Sequence, residues 1–233
     1  MCTVVVGSPV EGGPVLLLAL RDELVGREFD DPGTWWPDAP HVVGGHDRRA
    51  GGSCCVTDVP SGATALVLNR PQRPAAAPGA PSRGVLPLRA VAHREHWPEQ
   101  VDLTGMASFA LLLATTQRRT VWEFDGERLT AEVLPDGTHM LTSGAAEQGR
   151  AARHLPAFAA QASSSAWRDV VRRSAVEDDP ASLLVRHVTP DAVFATVFAQ
   201  VLEVTPGQAA LSWSRTPTVA DSWQERRWTS DRS

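Results

Sequence analysis

The chain has 233 residues, 42% of them hydrophobic, and a formal net charge of -5 from 22 cationic and 27 acidic side chains. That length and apolar content fill a sizeable core, while the acidic balance, with arginines scattered rather than gathered in a stripe, excludes nucleic acid as an expected partner. No apolar run approaches the roughly 18–20 residues that cross a bilayer, and the opening MCTVVVG lacks the basic start and cleavage site of a signal peptide, so a cytoplasmic location is expected.

In chain order, Thr3 to Gly7 and Val15 to Leu20 are apolar runs joined by the Gly/Pro-rich link Ser8 to Pro14, which predicts a hairpin. Residues 28–52 carry Asp-Pro, Trp-Pro and Gly-Gly signals and no period, and read as a long ordered loop of the kind on which sites are built. Cys54 to Asp58 and Ala63 to Leu68 flank Pro60-Ser61-Gly62 as a second hairpin. A Pro/Ala stretch, 71–81, reads as a surface connection leading through Ser82-Arg83-Gly84 into a short helix ending near Ala92. His93 and His96 have a spacing that metal ligands use, but Trp97-Pro98 closes the turn and no carboxylate motif follows, so a solvated turn and no metal are expected.

Residues 108–142 read as several strands with turns at Asp125-Gly126 and Pro135-Asp136-Gly137. Trp167, Val170 and Val171 have helical spacing after a Ser-rich start, and Asp179-Pro180 offers the N-cap of a further helix. Val193 to Val204 and Ala209 to Ser214 close the strand pattern, leaving 223–233 as an expected flexible tail of a single domain spanning 1–233. Strands, then helices, then strands without strict alternation predict a layered α+β fold.

Chemistry centres on position 2. Three cysteines, two of them neighbours at Cys54 and Cys55, make neither a disulfide framework nor a zinc ribbon. Cys2, however, follows the initiator methionine and is small enough for that methionine to be removed. A thiol and a free α-amine then share one residue. The α-amine titrates near 7.7–8.0 in model peptides, so it can take the thiol proton without any histidine. Arg21 and Asp22, at the end of the partner strand, supply a positive charge for the thiolate and an acidic group for the ammonium. Trp35 and Trp36 are candidates for lining an apolar pocket. Lysine, isoleucine and tyrosine are absent and asparagine occurs once, at Asn69, a bias expected of a GC-rich bacterial genome.

Met1-Cys2, Leu20-Arg21-Asp22-Glu23, Trp35-Trp36-Pro37-Asp38, Gly44-Gly45-His46-Asp47, Gly51-Gly52-Ser53, Leu68-Asn69-Arg70, Ser82-Arg83-Gly84 and Gly137-Thr138-His139-Met140-Leu141-Thr142 come in the order found in the NRDE family, also called the transport and Golgi organisation 2 family, which the chain resembles over most of its length. That family is similar in its opening to the choloylglycine and penicillin acylases among the N-terminal nucleophile hydrolases. The resemblance implies a four-layer αββα sandwich, with Cys2 as nucleophile and base, Asp22 orienting the α-amine, Arg21 beside the thiol or a substrate carboxylate, and Asn69 donating to the oxyanion. Trp35, Trp36, Arg83 and Ser143 stand on the substrate side.

Three departures accompany it. Leu20 replaces the box's usual Asn and removes a polar group from the expected wall of the site, Ser143 replaces an Asn, and Cys54 replaces a Trp. The expected activity is hydrolysis of a small, linear C–N amide through a thioester on Cys2, with a small-molecule substrate and no cofactor. The alternative is a non-catalytic carrier of an apolar ligand such as haem or lipid on the same fold, the role associated with eukaryotic relatives.

Overall fold

The computed structural model describes residues 2–7, 13–70, 76–144 and 148–230, so the expected links at 8–14 and 71–81 lie partly outside the described residues. In chain order the elements are β1 (Cys2–Gly7), β2 (Val15–Leu24), β3 (Phe29–Gly33), β4 (Val42–Asp47), β5 (Cys55–Asp58), β6 (Ala63–Asn69), α1 (Leu86–His93), β7 (Phe109–Ala114), β8 (Arg119–Phe124), β9 (Leu129–Val133), β10 (His139–Thr142), α2 (Gln148–Ala159), α3 (Ser164–Arg172), β11 (Val176–Glu177), β12 (Leu184–Val188), β13 (Val193–Thr205), β14 (Gln208–Ser214) and β15 (Gln224–Thr229). Contacts gather them into two units, one of Met1–Arg27, Asp136–Val204 and Ala209–Trp228, the other of Glu28–Pro135, Thr205–Gln208 and Thr229–Ser233.

The first unit is built on a sheet in the order β10-β1-β2-β13-β12-β11, with β14 added to β13 and β15 to β14. β1 and β2 pair antiparallel as the hairpin pattern predicts, Cys2 opposite Arg21 and Thr3 opposite Leu20. Successive side chains of a strand point to opposite faces. One face of β1, β2 and β13 therefore presents Val5, Leu16, Leu18, Leu20, Ala199 and Val201, which pack with Phe158, Trp167 and Val171 of α2 and α3. Ser163 caps α3 by accepting the Ala166 amide at 3.2 Å. Trp167, 1% exposed, donates from its indole to the Phe158 carbonyl at 3.1 Å, so its burial leaves no orphaned donor.

The second unit is an antiparallel meander, β3 to β9 in sequence order. Leu86, Ala90 and Val91 of α1 cover Val56, Ala65, Val67, Leu111 and Leu113. Beyond the helix, Trp97 is completely buried and meets Phe109 and Trp122 with ring centroids 6.2 and 5.9 Å apart. It lies in a 3-10 turn, Arg94–Gln100, that continues past the expected stop and contains Pro98. Each unit thus carries helices on one face of a sheet.

Three expectations are corrected. Residues 28–52 are not one long loop: β3 and β4 lie within them, hidden from a periodicity reading because Pro32 and the glycines break alternation and a register irregularity falls between Asp30 and Gly33. Asp179-Pro180 caps no helix. Asp179 accepts the Ala181 amide at 2.9 Å and its carbonyl accepts the Ser182 amide at 2.9 Å, forming a turn into β12. The expected tail is largely a strand, β15, held by β14, with Trp228 6.5 Å from Trp213 and Arg226 5.0 Å over the Trp228 ring. Among the described residues no helix is long and apolar enough to cross a membrane.

Candidate functional site

Cys2 opens β1 at an end of the first unit's sheet. It is half-buried and forms no disulfide. Its backbone nitrogen donates to Ser143 Oγ at 2.6 Å, and the same hydroxyl donates to the Cys2 carbonyl at 3.1 Å. Ser143, fully buried, follows β10, which pairs with β1 through Thr142 opposite Thr3. The side chain expected on the substrate side is thus fastened to both main-chain polar groups of residue 2. Directly across the ladder, Arg21 is 8% exposed. Residues opposite one another share a face, so the Cys2 thiol and the Arg21 side chain leave the sheet on the same side.

Asp22 follows Arg21 and points the other way, into the helix-covered face, where it is 1% exposed. Arg150 of α2, also 1% exposed, donates from one guanidinium nitrogen to Asp22 Oδ2 at 3.0 Å and to the Thr3 hydroxyl, and from Nε to the Pro180 carbonyl at 3.2 Å. Thr196 donates to Asp22 Oδ1 at 2.6 Å and accepts the Val185 amide at 3.0 Å. β13 achieves this by a bulge: Phe198 stands opposite Arg21 and Thr196 opposite Asp22, so Val197 is the extra residue that turns Thr196 to the helix side. Burial pushes the Asp22 carboxyl up, opposed by the charge and hydrogen bond of Arg150 and the bond from Thr196. Leu20 shares this face, 1% exposed among Val5, Phe158 and Trp167, so the residue expected on the wall of the site is a core residue instead.

Other singled-out residues belong to the second unit. Trp35 stacks on His46 with ring centroids 5.8 Å apart, and Trp36 meets the same imidazole edge-on at 6.3 Å. Asp30 accepts from His46 Nδ1 at 3.0 Å and from Arg48 Nε at 2.7 Å; bonds from Arg48 first and His46 second hold its carboxyl below the usual range. Trp36 Nε1 donates to the Gly51 carbonyl at 3.2 Å, Ser53 donates its hydroxyl to the Gly45 carbonyl at 2.6 Å, and the Ser53 amide donates to the Gly84 carbonyl at 2.9 Å. Arg83 in turn donates to the Ser108 carbonyl at 2.7 Å, beside the register pair of Asn69 and Phe109. Asn69 itself is exposed at the end of β6. Five short motifs separated along the chain are therefore one packed structure. The two groups, Cys2, Arg21, Asp22 and Ser143 in one unit and Trp35, Trp36, Asn69 and Arg83 in the other, are each assembled locally.

The glycine in that packing is not replaceable. A Cβ on Gly52 would lie 2.4 Å from the Gly84 carbonyl carbon and oxygen, whereas a Cβ on Gly84 would find only ordinary contacts from 3.4 Å outward. Gly52→Ala is expected to cost about 2–3 kcal/mol, and Gly84→Ala under about 1 kcal/mol, by overpacking against backbone that has no room to move. Thermal denaturation of the two variants checks this; equal midpoints would contradict it.

Sequence reasoning missed Arg150, Thr3 and Thr196. Arg150 is one of 22 arginines in a chain without lysine, and nothing local sets it apart. A cavity of about 150 Å³ lined by Gly7, Leu16, Thr138 and Trp167 lies at the opposite end of β1 from Cys2. It is smaller than the roughly 300–1,000 Å³ of ligand pockets.

The fold is α+β, with two mostly antiparallel sheets, and Cys2 is held through its main chain with Arg21 opposite it in the ladder. The chain belongs to the transport and Golgi organisation 2 family, whose sequence profile matches residues 1–190. No curated protein matches it in sequence. Among solved structures it is similar to the Caenorhabditis elegans N-acylethanolamine-hydrolyzing acid amidase orthologue, at 10% identity and a TM-score of 0.47, with 99% of this chain and 100% of that chain covered.

Proposed function

We propose that the protein is a cysteine amidohydrolase that cleaves a small, linear C–N amide bond through a thioester on Cys2. The observation that supports this reading is the geometry at residue 2: a half-exposed thiol, a main-chain nitrogen held 2.6 Å from Ser143 Oγ, and Arg21 in register across the ladder.

Once the methionine is removed, that nitrogen is a primary amine. It takes the proton of the Cys2 thiol, and the thiolate attacks the substrate carbonyl carbon while the carbonyl π pair moves to oxygen. Collapse of the tetrahedral adduct breaks the C–N bond, and the ammonium returns its proton to the departing amine. Water then attacks the thioester, the α-amine taking its proton, and the acid leaves as the thiol is restored. Arg21 favours the thiolate by its charge, and Ser143 fixes the direction of the amine lone pair through its two bonds to residue 2. The family resemblance implies Asn69 as the oxyanion donor, while Trp35 and Trp36 suggest an apolar acyl group on the substrate and Arg83 a carboxylate.

The test uses a short-chain p-nitrophenyl ester as an acylating probe on protein purified without an N-terminal tag. The expected result is a mature mass lacking one methionine and a transient acyl adduct that maps to Cys2. Retention of Met1, or acylation confined to Cys54, overturns the reading, because the base or the nucleophile is then elsewhere.

A further inference from the structure

We propose that Arg150 is a positioning residue for the Cys2–Arg21 pair, clamping from the helix-covered face the two residues, Thr3 and Asp22, that adjoin that pair on β1 and β2. The proposal rests on the nucleophile reading of Cys2 and adds to it a residue that touches neither the thiol nor the substrate face.

Cys2 and Arg21 leave the sheet on one side; Thr3 and Asp22, one residue along each strand, leave it on the other. Strand ends fray, and Cys2 sits at one. A single guanidinium from α2 bonds Thr3 of one strand and Asp22 of the next, while its Nε holds the Pro180 carbonyl, so the two residues that flank the Cys2–Arg21 pair diagonally are fastened to each other and to a helix. Ser143, which follows β10, bonds residue 2 from the neighbouring strand on the other side. Arg21 lies on the thiol side of the pair, and Asp22 and Arg150 lie on the other face. Burial pushes the Asp22 carboxyl up, and the charge and hydrogen bond of Arg150 oppose that; without Arg150 the carboxyl is driven to its neutral form, Thr3 loses its donor and the tie between the two strands is lost, so the thiol is no longer held beside Arg21.

The other two cysteines make the test internally controlled. Cys55 is 1% exposed and alkylates only on unfolding; Cys54 is half-buried in the second unit. Iodoacetamide modification of the full-length mature protein is followed from pH 5 to 10 by site-resolved mass spectrometry, for the native sequence, Arg150→Met and Arg150→Lys.

In Arg150→Met the Cys2 profile is expected to move to higher pH, with a roughly tenfold slower rate at pH 7, one pK unit's worth, while Cys55 stays protected and Cys54 is unchanged. Arg150→Lys, which keeps a cationic donor for Thr3 and Asp22, is expected to retain most of the native Cys2 profile. An unmoved Cys2 profile in a variant whose Cys55 is protected overturns the proposal. So does parallel exposure of all three cysteines in both variants, which would make Arg150 a support of the fold alone. Thiol reactivity does not depend on turnover, so a native protein that shifts as expected yet forms no acyl adduct would sink the hydrolase reading and leave the positioning role standing.

Discussion

Cys2→Ala loses turnover of an acyl probe or chromogenic amide by at least about 10³-fold, with the thermal midpoint almost unchanged. The loss is large because no other thiol in the described structure shares a strand end with Arg21, and a removed nucleophile leaves only binding and oxyanion contributions to act on water. Stability is spared for a geometric reason. The bonds that tie residue 2 into the sheet are made by its main-chain nitrogen and carbonyl to Ser143, and alanine keeps both. Cys2 is only half-buried, so the expected change is under about 1 kcal/mol. Steady-state hydrolysis beside a melting curve checks the pair of claims. A rate within tenfold of native would remove Cys2 from the chemistry, and a large drop in midpoint would make it a packing residue.

Asp22→Ala is the most destabilising single change expected in the first unit, at about 3–5 kcal/mol. The cost is not the strength of the ion pair, much of which is offset by desolvating two charges. It is the state left behind: Arg150, 1% exposed, keeps its charge with its carboxylate gone, and the Thr196 hydroxyl loses its acceptor. Combining Asp22→Ala with Arg150→Met removes the stranded charge and is expected to recover more than half of the loss, a coupling of at least about 2 kcal/mol between residues 128 apart in sequence. Denaturant unfolding of the two single variants and the double one closes the cycle. Additive losses would show that the buried pair is not a unit.

Both expectations start from residues of unequal legibility. Cys2, Arg21 and Asp22 are visible in the sequence because they border two clear strands at a chain start, and Asn69 because it is the only asparagine. Arg150 is invisible in a chain whose cations are all arginine. The hairpins β1–β2 and β5–β6 follow from apolar runs bounded by turn residues, and α3 from its helical spacing and Ser163 cap. β3 and β4 escape notice because backbone pairing, not side-chain alternation, makes Pro- and Gly-containing segments into strands. β15 escapes because its mostly polar, exposed side chains look like a tail.

What the sequence determined by itself is the family and several local elements: eight short boxes in order place the chain in the transport and Golgi organisation 2 family, as the match over residues 1–190 shows, and apolar runs bounded by turn residues set the hairpins β1–β2 and β5–β6. What only the tertiary structure decided is which partner each group has. Ser143, read as a substrate-side donor, holds the main chain of Cys2; Leu20, read as part of the site wall, is in the core; Asp22 meets Arg150 and Thr196. The physical reason is strand parity. A one-residue step along β2 sends Arg21 and Asp22 to opposite faces, and which face carries helices is settled by long-range pairing with β13 and by the docking of α2, neither of which any local pattern encodes.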